Sequence, residues 1–217
     1  MEESLIASFG DAQLYKSDLE TLNNPTEYLT DNVISIFLEI LTAKSPSTYC
    51  VSPEVVQLMK LSPPSELTEM FGGLDLPQYE LVMFSVNNSE DFTKALSGSH
   101  WSLLIHIKQD KSFYHIDSCN NLNAKAASKL TKKLSYDLLK GTTGQCQALN
   151  CTQQTNGYDC GVFVVYFARL ISKSFNELKR FDSKIVQQIV PGDYRSTMRT
   201  DCLVNIVELG EDQIASL

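Results

Sequence analysis

Two features that the chain lacks exclude common classes of function. No stretch of about eighteen or more apolar residues occurs among its 217 residues, so the sequence predicts no transmembrane helix and no membrane partner. Acidic residues outnumber basic ones by 26 to 18, and the net charge is −8. Nucleic acid is not an expected partner, because phosphate binding depends on clustered Lys and Arg. An acidic surface suits a basic protein partner better.

The first residues and the spacing of the cysteines also carry expectations about the protein's compartment and its cofactors. Its acidic start, Met1 to Ser4, has none of the basic residues of a signal peptide, so we expect a cytoplasmic or nuclear protein. No CxxC pair occurs, which argues against a zinc ribbon and against a thioredoxin-type redox motif. We expect no cofactor. The cysteines should be reduced and mostly buried, and they stand at Cys50, Cys119, Cys146, Cys151, Cys160 and Cys202.

The order of apolar patterns predicts an α+β fold in a single domain over residues 1–217. The first predicted helix spans 33–41 and is capped by Thr30 or Asp31, and a second begins at Ser52. Further helices are predicted over 124–140, over 175–190 and within 201–217. Strands of a mixed, antiparallel-rich sheet are predicted over 80–86, 101–107, 112–117 and 145–151. The apolar run 161–171 fits a buried strand or a buried helix, and its length favours the helix.

A predicted β-hairpin brings a histidine and a carboxylate together. The short polar connection 108–111 joins two of the strands. Opposite residues of an antiparallel pair share a face, and so do diagonal neighbours. With an even-numbered connection, His100 therefore lies opposite Asp117 or diagonal to it, at the open end of the hairpin, whereas an odd loop or a bulge would break this parity. A carboxylate beside imidazole fixes its tautomer and favours its protonated form.

The other two histidines have plainer interpretations. We expect His106 and His115 to be core or surface side chains with satisfied hydrogen bonds. His115, Asp117 and Cys119 share one strand face, which would suit a metal ion. A closed zinc site needs a fourth ligand and usually a tight chelating pair, and the sequence offers neither. No metal site is therefore predicted.

Cys160 stands between a turn and a long apolar run, where a helix would begin. A buried cysteine is more often structural, but a thiol at a helix N-terminus beside an imidazolium is favoured as the nucleophilic thiolate. The backbone N–H of Cys160 and the side-chain amide of Gln154 are candidate donors to an oxyanion. Gly157 and Gly161 are expected to allow tight turns and close packing around the thiol.

Three separated motifs resemble those of the ubiquitin-like-protein-specific (Ulp/sentrin-specific) cysteine proteases. They are His100-Trp101, Asp117-Ser118 and the run from Gln153 to Gly161, and their order, spacing and local context all match. The resemblance covers about residues 18–195. It implies a papain-like core and an active site in the order His, Asp, Gln, Cys.

The resemblance also implies a role for each matching residue. Cys160 would be the nucleophile, His100 the general base and acid, and Asp117 its orienter. Gln154 would supply the side chain of the oxyanion hole, and Trp101 would cover the channel for a substrate's Gly-Gly tail. The implied reaction is hydrolysis after the C-terminal Gly-Gly of a ubiquitin-like modifier.

Further segments are similar to one branch of that family, the deneddylases. Tyr28-Leu29-Thr30-Asp31 aligns with a Trp-Leu-Asn-Asp segment of the family, with Tyr and Thr as departures. Asp31 then resembles an acidic contact to the modifier, and Tyr28 could supply an aromatic wall. The stretches that begin at Ser52, Leu74 and His100 also look like this branch, as does the lack of a long N-terminal extension. The neddylation modifier and its conjugates, such as cullins, are the expected partners.

Rival functions stay open at this point. A SUMO- or ubiquitin-directed protease would share the fold, and related folds use a Cys–His pair for acetyl transfer. A non-catalytic modifier-binding module is a third alternative, which the intact His, Asp, Gln and Cys set argues against. We expect a monomer, since nothing in the sequence demands a larger assembly.

Overall fold

The computed structural model describes residues 4–91, 98–188 and 200. The strands are β1 Leu5–Phe9, β2 Ala12–Tyr15, β3 Thr48–Val51, β4 Leu81–Asn87, β5 Trp101–Ile107, β6 Ser112–Ile116 and β7 Cys146–Leu149. The α-helices are α1 Lys16–Asn23, α2 Asp31–Lys44, α3 Pro53–Leu61, α4 Leu67–Phe71, α5 Ala124–Asp137 and α6 Cys160–Leu178. Turns of 3₁₀-helix occupy Pro64–Glu66, Gly72–Leu74, Leu76–Gln78 and Ser183–Gln187.

A mixed five-stranded sheet forms the centre of the fold, in the order β3-β4-β5-β6-β7. The three middle strands are antiparallel, whereas β3 and β7 run parallel to their neighbours at the two edges. Side chains alternate across β4 and β5, so Met83 and Ile105 join a core with α2 and α6. Phe84 and Leu104 join a second core with α3 and α5 on the other face. This arrangement confirms the predicted α+β class.

Local signals place two helix starts as predicted. Thr30 is the N-cap of α2, and its hydroxyl accepts the N–H of Val33 at 3.3 Å. Ser52 is the N-cap of α3, ahead of Pro53 at the first helical position, where the missing donor costs nothing. Both helices then direct apolar faces into the cores described above.

The apolar run after Cys160 is a helix, as its length indicated, but its end was predicted wrongly. α6 continues through the buried Phe175 to Leu178, and it stops where Lys179 adopts a left-handed φ of 55°. A separate helix over 175–190 is therefore wrong, and within residues 179–188 the structure shows the short 3₁₀ turn Ser183–Gln187 instead. Most of the polar residues after residue 171 lie on the solvent-facing side of the same helix. They do not mark a boundary between two helices. The helix predicted within 201–217 lies outside the described residues.

Several elements carry weak sequence signals or differ at their ends. The hairpin β1–β2, which turns at Gly10 with a φ of 58°, and the edge strand β3 were not predicted. The helix predicted over 124–140 ends at Asp137, and the strand predicted over 145–151 is the shorter β7. No helix in the described part of the chain is long and apolar enough to cross a membrane.

Candidate active site

The open end of the β5–β6 hairpin holds a buried His–Asp pair. The strands are joined by four residues and pair Ile107 with Ser112, so His100 lies diagonal to Asp117, as the parity predicted. The two side chains meet at 2.7 Å between Nε2 and Oδ1. They are only 3% and 2% exposed, so water screens their interaction little.

Asp117 is held in its charged form by three donors. Oδ1 accepts the backbone N–H of Cys119 at 2.8 Å as well as the imidazole, and Oδ2 accepts the N–H of Asn123 at 2.9 Å. Burial alone would raise the pKa of Asp117, but the hydrogen bonds from His100, Asn123 and Cys119 lower it below its usual range. The carboxylate is thus a fixed negative charge facing the imidazole.

His100 is strongly biased towards its protonated form. Burial lowers its pKa, but hydrogen bonds to Asp117 and then to Cys160, with the charges of both groups, raise the pKa to about 9. Because Nε2 is bonded to Asp117, Nδ1 is the nitrogen left to serve the thiol. The backbone is fixed as well, since the N–H of His100 donates to Oδ1 of Asn88 at 3.2 Å.

Cys160 is the first residue of α6 and is 1% exposed. The thiol therefore lies in the positive end of a 19-residue helix and against the imidazole of His100. Burial raises the pKa of the Cys50 thiol to about 12 and that of the Cys151 thiol to about 11, and neither residue begins a helix. The structure thus separates Cys160 from the structural cysteines.

The two glycines near the thiol play unequal parts. A Cβ at Gly161 would stand 3.0 Å from the Cβ of Leu29 and 3.3 Å from Cδ1 of Ile34, so α6 approaches that segment too closely for a side chain. At Gly157 nothing lies within 4 Å of such an atom, and its φ is not left-handed. The packing role predicted for Gly161 is confirmed, whereas the same role for Gly157 is wrong.

Gln154 lies alongside the segment that carries Asp117. Its backbone N–H donates to the carbonyl of Ser118 at 2.8 Å, and its Oε1 accepts the hydroxyl of Ser118 at 2.7 Å. Nε2 donates one proton to the carbonyl of Asn156 at 2.8 Å. The amide has a second proton, and its predicted use as a donor to an oxyanion stays a prediction.

Asn156 was not singled out from the sequence, although Asn-Gly is a turn signal. Its Oδ1 accepts the N–H groups of Tyr158 and Asp159 at 3.1 and 3.0 Å, and its Nδ2 donates to Oδ2 of Asp159 at 2.8 Å. This side chain shapes the turn that delivers Cys160 to the start of α6.

The predicted substrate-binding residues occupy two neighbouring elements. Trp101 begins β5 directly after His100 and packs at the edge of the core with α2 and α6. Tyr28 is 49% exposed, and Asp31 is half-buried in the first turn of α2. Burial and then the neighbouring carboxylate of Glu54 raise the pKa of Asp31. Leu29, between these two residues, ties the segment to the nucleophile helix through Gly161.

The two remaining histidines are both buried, but only one is satisfied. Nε2 of His115 contacts the hydroxyl of Ser102 at 2.9 Å, as expected. The ring of His106 lies tilted against that of Phe113, and neither ring nitrogen has a hydrogen-bond partner among the residues that the structure describes, so the expectation of satisfied hydrogen bonds is wrong there. Burial lowers the pKa of each to about 4. Within the described ranges no group of three or more His, Cys, Asp or Glu is placed to hold a metal ion.

A cavity of about 300 Å³ lies along α2, β3 and the start of α3, and none of the four predicted catalytic residues lines it. Its lining includes Asn32, next to Asp31, and three carboxylic acids, Asp11, Glu39 and Glu54. The Asp11 carboxylate adds to burial in raising the pKa of Glu39. The surface next to the predicted substrate-binding segment is therefore acidic.

A thiol at a helix start, an imidazole against it and a carboxylate behind the imidazole form the arrangement of a cysteine peptidase. Residues 92–200 match the model of the Ulp1 protease family, C-terminal catalytic domain. NEDD8-specific protease 1 of Arabidopsis thaliana is 31% identical, over 99% of this chain and 97% of that protein. The chain therefore belongs to the Ulp1 protease family of cysteine peptidases, which act on ubiquitin-like proteins.

Two further relatives agree in sequence and in fold. Sentrin-specific protease 8 of Homo sapiens is 30% identical over 87% of this chain and 90% of that protein. The yeast Ulp1 protease domain, solved in complex with the SUMO ortholog SMT3, superposes with a TM-score of 0.70 over 96% of this chain and 89% of that one. At 19% identity this likeness supports the fold.

Proposed function

We propose that the protein hydrolyses the bond after the C-terminal Gly-Gly of a ubiquitin-like modifier, with NEDD8 as the preferred modifier. The observation that supports this chemistry is the buried arrangement of Cys160, His100 and Asp117. His100 interacts with the Cys160 thiol on one side, and its Nε2 lies 2.7 Å from Oδ1 of Asp117 on the other. The leaving group is either a short C-terminal extension of a precursor or the lysine amine of a conjugate such as a neddylated cullin.

In the first half of the reaction the Cys160 thiolate attacks the glycine carbonyl, while His100 holds the thiol's proton. The tetrahedral oxyanion accepts hydrogen bonds from the backbone N–H of Cys160 and the free Nε2 proton of Gln154. Collapse of the intermediate breaks the C–N bond, and His100 passes its proton to the departing amine. The product is a thioester on Cys160.

In the second half water replaces the amine. His100 takes a proton from water, the hydroxide adds to the thioester carbonyl, and the C–S bond breaks to release the modifier's carboxylate and return the thiol. Asp117 keeps Nε2 occupied throughout, so Nδ1 stays directed at the reacting atoms. These steps use the protein's own side chains and backbone, with water as the second reactant.

The preference for NEDD8 draws on the name of the Arabidopsis relative and on the acidic surface. The predicted contacts Tyr28 and Asp31 lie beside a cavity with three acidic residues in its lining, which suits a basic face of a partner. Trp101, which follows His100 at the start of β5, would cover the Gly-Gly tail. We expect the protein to act as a monomer, with a mass in light scattering near 24.3 kDa.

The test compares NEDD8, SUMO and ubiquitin, each with a fluorogenic amide at its C-terminus. We expect kcat/KM to be highest for NEDD8, and hydrolysis to vanish in Cys160→Ala while NEDD8 binding is retained. Cleavage of SUMO alone would overturn the modifier, and turnover by Cys160→Ala would overturn the mechanism. Binding without cleavage by the wild type would instead indicate a modifier-binding module.

A further inference from the structure

Asn123 lies between the two partners of the buried His–Asp pair and outside the motifs described above. It is 1% exposed and precedes α5. We propose that Asn123 is a positioning residue, which fixes His100 and Asp117 relative to each other by bonding to both.

The contacts of Asn123 reach three separate segments. Its backbone N–H donates to Oδ2 of Asp117 at 2.9 Å. Its Nδ2 donates to the carbonyl of His100 at 3.2 Å and to the carbonyl of Val86, near the end of β4, at 2.9 Å. One residue thus ties together the carboxylate of Asp117, the backbone of His100 and strand β4.

The Asn123 side chain makes these contacts instead of capping its own helix, which costs stability in α5. Asn123 is the N-cap of α5, a position where an Asn side chain ordinarily accepts an N–H of the first turn, yet it makes no such bond. Its Oδ1 is buried and has no hydrogen-bond partner among the described residues, which is a further cost. A residue selected for the helix alone would turn its oxygen to the helix.

The contacts of Asn123 hold two catalytic residues that lie just outside the strands of the sheet. His100 precedes β5 and Asp117 follows β6, so neither is held by the strand ladder itself. Asn88 holds the N–H of His100, and Asn123 holds its carbonyl. Without Asn123 the imidazole can drift from the carboxylate, and small misplacements of catalytic groups cost large factors in rate.

Two substitutions separate positioning from helix capping. Asn123→Ala removes the side-chain bonds, and Asn123→Ser restores a good N-cap that is too short to reach both carbonyls. We expect kcat on the preferred modifier substrate to fall at least tenfold in both, with KM changed less than threefold. Ser135→Ala is the matched control, because it removes side-chain hydrogen bonds of the same helix α5, to the carbonyls of Thr131 and Thr143, without touching the site.

A second readout needs no substrate. The rate of Cys160 alkylation by iodoacetamide, followed by mass spectrometry of its peptide, reports the thiolate–imidazolium pair as a function of pH. Because a misplaced imidazolium stabilises the thiolate less, we expect the profile to shift to higher pH in both Asn123 variants and to stay unchanged in Ser135→Ala. Recovery of kcat and of the profile by Asn123→Ser would overturn the proposal, as would an unchanged profile in a folded Asn123→Ala protein. An inactive wild type with a normal alkylation profile would count against the proposed substrate and leave this test intact.

Discussion

Asp117→Asn is the sharpest test of how the fold tunes the imidazole. The carboxylate accepts His100 and Cys119 on one oxygen and Asn123 on the other. The asparagine amide has the same size but only one oxygen. Its NH₂ group must therefore face either the backbone N–H of Asn123 or the side where His100 and Cys119 donate. Either orientation leaves a buried donor unpaired, which costs about 1–3 kcal/mol.

The charge effect can be sized from the pKa of His100. Its rise from 6.5 to about 9 corresponds to about 3 kcal/mol, part of which comes from Cys160. Because the folded pKa is raised, this stabilisation is fully present below pH 6.5 and is lost as the pH rises through 9. We therefore expect Asp117→Asn to lose more unfolding free energy at pH 6 than at pH 10.

The assay combines denaturant unfolding with hydrolysis of a modifier–fluorogenic amide between pH 5.5 and 10. We expect kcat at pH 7 to fall by about 10²–10⁴, the usual contribution of a positioned acid–base pair. The alkaline limb should move from near 9 towards 6.5. Asp110→Asn is the control, since this carboxylate on the same hairpin accepts the Tyr114 hydroxyl at 2.9 Å in a solvent-exposed hydrogen bond, remote from the catalytic pair. A kcat within twofold of wild type with the limb unmoved would refute the reasoning.

Three further predictions test other parts of the molecule. Gly161→Ala forces a Cβ to 3.0 Å from Leu29 and should lower the unfolding free energy by about 1–2 kcal/mol, because the cost of overpacking exceeds the gain in helix propensity. Gly157→Ala is the control and should leave the unfolding free energy unchanged. An equal loss of unfolding free energy in both variants would contradict the packing role of Gly161. The wild type should lose unfolding free energy as the pH falls from 6.5 to about 4, because the folded state holds the His106 imidazole neutral while the unfolded state protonates it. His106→Leu should reduce this loss, as measured by denaturant unfolding at several pH values. The same pH dependence of unfolding free energy in the variant and the wild type would contradict the prediction. Asp31→Asn should raise KM for the modifier with kcat unchanged, and a fall in kcat alone would remove Asp31 from substrate binding.

Features written in adjacent residues could be predicted from the sequence. The caps at Thr30 and Ser52 depend on a side chain and an N–H three residues on, which fixed spacing determines. The His100–Asp117 diagonal needs only the two-residue period of a strand and a four-residue connection. Cys160 at a helix start follows from the length of the apolar run behind it.

Features that depend on distant partners could not be predicted. The parallel edge strands β3 and β7 pair with neighbours far along the chain, and their own patterns are short. The buried His106 has no local sign that its nitrogens lack partners, since that depends on what packs around it. α6 runs past residue 171 because Phe175 reaches the same core, and periodicity across a polarity change does not show this.

The sequence by itself thus determined the chemistry of this protein: which thiol, which imidazole and which carboxylate, and that a hairpin brings two of them together. Only the tertiary structure decided how they are held. In the sequence Asn123 is only the residue before the helix predicted over 124–140, and its bonds to the His100 and Val86 carbonyls appear only when three segments converge. A hydrogen-bonding side chain can serve its own helix or a distant strand, and the choice rests on which partners the packed chain brings within reach.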